Sequence, residues 1–183
     1  MSTLKVNSVT NIAGTLYPAW PEVDRWLLTS NASTSQNPID ANWGRAARAG
    51  GSGINQNLPY GTGMTESSGI FTFPSVGKWW VRFQGNVRHS SGNMWAEAYI
   101  QGSGNNGTNW NSFAVGYDNQ YDDSNWVYGT INTDTFIDIE DTSTDKVRFS
   151  LLFDTSGDGV IIGSDPASSP NATGATFIKI GPT

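Results

Sequence analysis

Lys78-Trp79-Trp80-Val81-Arg82-Phe83-Gln84-Gly85-Asn86-Val87-Arg88 is the stretch on which the reading of this chain turns. Trp79, Val81, Phe83, Gly85 and Val87 share one parity, and Trp80, Arg82, Gln84, Asn86 and Arg88 share the other. Successive side chains of a strand point to opposite faces, so the stretch predicts a long half-buried strand. Residues 146–154 repeat the pattern, with Val147, Phe149, Leu151 and Phe153 on one face. Shorter strands are expected at residues 26–28, 69–73, 94–101, 110–117, 126–131 and 176–180, with 133–139 extending the fifth of these. Glycine- and asparagine-rich clusters such as Gly102-Ser103-Gly104-Asn105-Asn106-Gly107 separate them and supply turns. Strands at this spacing predict an all-β fold, a jelly-roll sandwich of about eight to ten antiparallel strands. Residues 39–48 are ambiguous and could form one helical turn, kept short by Gly44 and Gly50. Residues 50–63 read as a long loop. No repeat of fixed period points to a propeller or solenoid.

Composition narrows the function classes. The chain has 183 residues, enough for one domain. Charged residues are 14% and apolar residues 37%, so the core must rest on few, large side chains among 8 Trp, 6 Tyr and 8 Phe. The net charge of −6 and the isolated pair Arg45 and Arg48 argue against a nucleic-acid surface, which needs clustered cations. The same charge disfavours anionic membranes, and no apolar run has the length of a membrane span. There is no cysteine, which excludes disulfides, thiolate metal sites and cysteine nucleophiles and fits synthesis in a reducing cytoplasm.

The first residues are patterned but cannot fold alone. Leu4 and Val6 alternate with polar neighbours, residues 11–14 look like a turn, and residues 15–17 could pair back. A lone hairpin is marginal in water, so residues 1–21 are expected to be a docking arm that adds strands to a partner through Leu4, Val6, Val9, Ile12 and Leu16. One lysine and no continuous apolar core argue against an export signal. Pro18 and Pro21 bracket Trp20 as a hinge. The expected organisation is an arm and hinge over residues 1–24 and a jelly-roll domain over 25–183.

Two segments resemble a known family. Ser68-Gly69-Ile70-Phe71-Thr72-Phe73-Pro74-Ser75-Val76-Gly77-Lys78-Trp79 resembles the G-x-F-x-F-P-x-x-G-x-Y/W turn of the complement globular head and tumour necrosis factor jelly rolls. Asp145-Lys146-Val147-Arg148-Phe149, followed by Thr176-Phe177-Ile178-Lys179-Ile180-Gly181, resembles the end of those domains. The opening Met1-Ser2-Thr3-Leu4-Lys5-Val6-Asn7-Ser8-Val9 with Gly14-Thr15 resembles tail-fibre and virion structural proteins of marine and cyanobacterial phages. Together these resemblances imply a homotrimeric jelly roll on a phage particle. The complement heads follow a stalk of Gly-X-Y repeats, which this chain does not contain, so the short arm or another virion protein is expected to hold the domain. Trimer-interface candidates are Trp79, Trp80, Arg82 and Phe83: one face of this strand can fill the sandwich while the other meets a neighbouring copy.

Candidate chemistry is sparse. Asp154, Ser156, Asp158 and Asp165 follow calcium-loop spacing with Gly159 at the sixth position. The last ligand is the shorter Asp and the flanks read as strands, so an ordinary turn is preferred and no cofactor is expected. Asp118, Asp122 and Asp123 with Asn119 and Asn125 read as a solvated acidic loop. His89 is the single histidine, and Ser90 beside it would point to the other strand face, which disfavours a triad. Glu97 is the most site-like glutamate, but no partner carboxylate is marked for glycoside hydrolysis. Trp95, Trp110, Tyr117, Tyr121 and Trp126 lie near polar turns and are candidates for stacking on a host-surface glycan; packing in core or interface explains them as well.

The expected function is that of a non-enzymatic virion structural protein, made in the host cytoplasm and mounted on the tail or fibre apparatus. Its expected partners are its own copies, other virion proteins and a host glycan. Capsid decoration is the alternative station; a carbohydrate-binding module, a glycan-degrading enzyme or a secreted lectin are alternatives of other classes.

Overall fold

Trp79, Val81, Phe83 and Val87 turn inward and are at most 1% exposed, while Lys78 and Arg82 on the other parity stay exposed. The computed structural model describes residues 22–46, 58–89, 92–122, 127–154, 159–164 and 172–183. Among these there are twelve strands and no helix: β1 Val23–Leu28, β2 Ala32–Ser33, β3 Trp43–Arg45, β4 Thr65–Ser67, β5 Ile70–Thr72, β6 Gly77–His89, β7 Gly92–Ser103, β8 Asn111–Asp122, β9 Val127–Ile139, β10 Lys146–Phe153, β11 Val160–Ile161 and β12 Gly174–Gly181. The all-β jelly roll expected from the sequence is the fold observed.

The strands form two antiparallel sheets. In the first, β9 pairs with β6 without interruption from Gly77↔Ile139 to His89↔Val127. A strand has two edges, so β12 and β11 must share the other edge of β6; β12 takes Lys78 to Gln84 and β11 takes Val87 and Arg88. Beyond them lie β1 and β3 on one side and β2 on the other. The second sheet runs β4-β5-β10-β7-β8. Past the short β5, residues 34–39 continue along β10, where Gln36 and Leu151 exchange two backbone hydrogen bonds.

Aromatic packing joins the sheets. Phe71 of β5 meets Trp26, Trp43, Phe149 and Phe177 at centroid distances of 5.2–5.6 Å, mostly edge to face. Phe83 stacks on Phe149 at 4.9 Å, and Phe73 lies 5.2 Å from Trp79. Such pairs favour offset or edge-on geometry because the ring face is negative and the rim positive. Gly85 falls on the inward parity of β6, and a Cβ there would sit 2.5 Å from Leu151 Cδ1. The missing side chain is what lets Leu151 pack.

The β4–β5 hairpin turns on Ser68 and Gly69, with φ of 52° and 76°. Two central residues with positive φ make the primed turn that matches strand twist. Gly69 donates its backbone N–H to Glu66 Oε1 at 2.7 Å, and a Cβ on it would lie 2.2 Å from the Ile39 carbonyl oxygen. Gly69→Ala is expected to lower stability by at least about 1–2 kcal/mol, the cost of placing an L side chain in the left-handed region. Urea denaturation reads it, and an unchanged midpoint would show that the turn relaxes freely.

Three expectations are corrected. β1 begins at Val23, ahead of the strand start expected at Trp26, because Val23 and Asp24 pair with Ile178 and Phe177. Trp43–Arg45 forms strand β3 against β1 instead of a helical turn, since the backbone of β1 offers it ladder bonds. Asp118, Asn119 and Asp122 belong to β8, not to a loop; the ladder with β7 runs through them whatever the polarity of the side chains. The docking-arm residues Leu4, Val6, Val9, Ile12 and Leu16 lie outside the described residues.

Candidate functional site

Each sheet has an outward face, and both carry aromatic side chains. On the first sheet, directly paired residues point the same way, so register defines rows across the strands. Tyr60 opposes Val23, Val23 opposes Ile178, Ile178 opposes Trp80, and Trp80 opposes Phe136. Five chain segments thus lay one apolar row across the outer face. Tyr60 is 56% exposed and Phe136 69%. Exposed Ile180 and Tyr128 add apolar area elsewhere on β12 and β9.

Polar groups frame this row. Trp80 Nε1 donates to Asp134 Oδ2 at 3.0 Å, Lys78 pairs with Asp138 at 2.7 Å, and Arg82 Nη2 donates to Asn132 Oδ1 at 2.7 Å. Of the four trimer-interface candidates, only Trp80 and Arg82 present their side chains here. Trp79 and Phe83 are corrected to core: they are 1% and 0% exposed and pack on Phe73 and Phe149. Val23, Ile178, Phe136 and Tyr60 were not singled out by the sequence. Parity along β9 was the available signal, since Tyr128 and Phe136 fall on its polar side.

On the second sheet, Trp95 of β7 and Tyr117 of β8 are diagonal neighbours. Their rings stack with centroids 5.8 Å apart and planes 10° from parallel, at 41% and 58% exposure. Phe113 and Val115 continue the exposed strip along β8. Glu97 and Tyr99 lie beside it on β7, two residues apart and therefore on one face, and the Tyr99 hydroxyl donates to Glu97 Oε2. The site-like Glu97 thus has a phenol, not a second carboxylate, as its hydrogen-bond partner.

The bond to Glu97, with burial and the Glu97 charge behind it, pushes the Tyr99 phenol up to about 12. A phenol whose folded pKa exceeds its unfolded value of about 10 favours folding below pH 10 and loses that contribution as pH rises towards 12. Glu97→Gln is expected to bring this titration back towards 10. Ultraviolet absorbance of tyrosinate measures it, and an unmoved late-titrating tyrosine would contradict the assignment.

The remaining candidates separate. Trp110 lies under the Arg148 guanidinium, 4.3 Å from the ring centroid, so one face of its ring is covered. Burial lowers the Arg148 guanidinium from its usual range. The Tyr121 backbone pairs with Asn93, while its side chain and all of Trp126 lie outside the described residues. Asp154 Oδ1 accepts the Trp95 backbone N–H at 3.0 Å, which ties the start of the expected calcium loop to β7. Ser156, Asp158 and Asp165 lie outside the described residues. Among the described residues no group of three His, Asp or Glu side chains gathers as a metal site. His89 is fully buried at the end of β6.

No family model and no curated protein matches the sequence. Solved structures do match the fold. Murine APRIL at pH 5.0 aligns with a TM-score of 0.59 at 12% identity, over 87% of this chain and 99% of that one. Eiger TNF from S. frugiperda aligns with a TM-score of 0.60 at 9% identity, over 89% and 94%. At such identities the likeness concerns the fold alone: two antiparallel sheets arranged as a tumour necrosis factor-like jelly roll.

Proposed function

We propose that this chain is a non-enzymatic structural protein of a phage particle, working as a homotrimer that closes on the outer face of the first sheet. The observation that carries the reading is the apolar row Tyr60–Val23–Ile178–Trp80–Phe136. Contiguous apolar surface of this kind on a small domain marks an association site. The count of three comes from the resemblance to complement and tumour necrosis factor heads, and the particle from the resemblance of residues 1–15 to phage virion proteins. In this reading residues 1–21 dock the trimer onto a virion protein. The Trp95–Tyr117 stack on the opposite sheet then faces outward, where parallel aromatic rings suit the apolar face of a host sugar.

Deleting residues 1–21 tests the whole arrangement. The shortened protein is expected to remain a trimer in solution and to be missing from assembled particles. Incorporation at the normal level would end the arm's role. A glycan array probed with the trimer separates stations: binding that Trp95→Ala abolishes favours the tail, and a silent array favours capsid decoration.

A further inference from the structure

One step along the strands from the apolar row lies a second row, Arg25–Thr176–Arg82–Asp134. Arg25, Arg82, Gln84, Gly174 and Thr176 line a hollow of about 170 Å³ on this face. The chain has only 10 Lys and Arg against 16 Asp and Glu, yet two guanidinium groups converge here. Among the described residues the ion pairs are Arg45–Asp24, Lys78–Asp138 and Lys179–Glu22, so neither arginine of the hollow has a carboxylate partner. Arg82 instead donates to the neutral Asn132 amide, and Asp134 across from it accepts from the Trp80 indole.

The lining brings two guanidinium groups and a hydroxyl to one hollow. In register Arg25 and Arg82 flank Thr176, and Gln84 opposes Gly174 one step along, its amide donating to Asn86 Oδ1 at 3.4 Å. Forked N–H groups match the oxygens of carboxylate, phosphate and sulfate. The hollow also adjoins the apolar row, so closing that row against another copy would take both cations out of water. Burying unpaired charge is strongly unfavourable.

We propose that this hollow binds one small free oxyanion per chain, of the sulfate or phosphate class, which neutralises Arg25 and Arg82 when the face closes. The anion's role in closure rests on the self-association proposed above; the site itself does not. Bound there, the anion strengthens association in proportion to its differential affinity for the closed face.

Calorimetric titration of the full chain with sodium sulfate, against sodium chloride at matched ionic strength, tests the site, with sedimentation velocity run on the same samples. Sulfate is expected to give saturable heat at one site per chain and to raise the melting temperature. Arg25→Gln and Arg82→Gln should each weaken it about tenfold or more, and Arg82→Lys should fall between. Both side chains sit on the surface of the isolated chain, and a melt in chloride verifies that the variants fold. Sulfate binding by a chain that sediments as a monomer supports the site while removing the assembly. Assembly with no response to sulfate overturns the site and leaves the assembly standing, as does binding that both glutamine variants retain in full.

Discussion

Asp24→Ala is expected to destabilise the domain by about 3–5 kcal/mol, the usual cost of stranding the partner of a buried ion pair. Asp24 is 1% exposed and acts as the hub of the β1 edge. Its carboxylate accepts from Trp26 Nε1 at 3.0 Å, from the Met64 backbone N–H at 2.8 Å and from Arg45 Nε at 3.1 Å. Arg45 Nη2 is 3.1 Å from the same carboxylate, also donates to the Met64 carbonyl, and its guanidinium lies over the Trp26 ring. Three segments, β1, β3 and the approach to β4, are therefore tied by one side chain. Alanine leaves a partly buried indole N–H and a buried amide without their acceptor and strips the partly buried Arg45 cation of its carboxylate. Asp24→Asn keeps the shape and one acceptor and should cost less. Urea denaturation of the full chain measures both, and a loss under about 1 kcal/mol for alanine would show that water replaces the carboxylate.

Trp80→Glu and Phe136→Glu should leave each chain folded and dissolve the assembly. Both side chains point away from the core, so neither change opens a cavity. Each places a carboxylate in the apolar row, where other copies would bring their own. Buried aromatic anchors commonly contribute about 2–4 kcal/mol at an interface, equivalent to roughly 30- to 1,000-fold in dissociation constant. Sedimentation velocity with circular dichroism distinguishes the outcomes. A lighter species with an unchanged spectrum is expected; unchanged mass in both variants would mean that copies meet elsewhere.

How much of this was legible depends on element length. β6 and β10 announce themselves because period-two alternation over many residues has few other readings. β9 emerges as one strand through the two segments expected around residue 132. β2 and β11 have two residues each, too few for any period; β11 forms on the edge that β6 offers, and β2 on the edge of β11. Trp79 and Trp80 could be assigned to opposite faces from parity, but not to core and surface. That choice is made by Phe73 across the sandwich and Phe136 on the adjoining strand, and Phe136 lies far from them in sequence.

The candidate site was half legible for a related reason. Exposed aromatics near polar turns were recognisable, and Trp95 and Tyr117 are indeed exposed. Their stacking follows from the diagonal register of β7 on β8, which composition does not encode. Trp110 looked equivalent, yet Arg148 covers it because β10 and the residues after β7 meet there. The apolar row needed four pairings at once, so no single segment of sequence carried it.

The most direct test is the mass of the full chain at sedimentation equilibrium over a wide range of concentrations. The account predicts one species at three times the 19.7 kDa chain mass, persisting on dilution. A stable monomer with the Trp80 and Phe136 row open to solvent would contradict it.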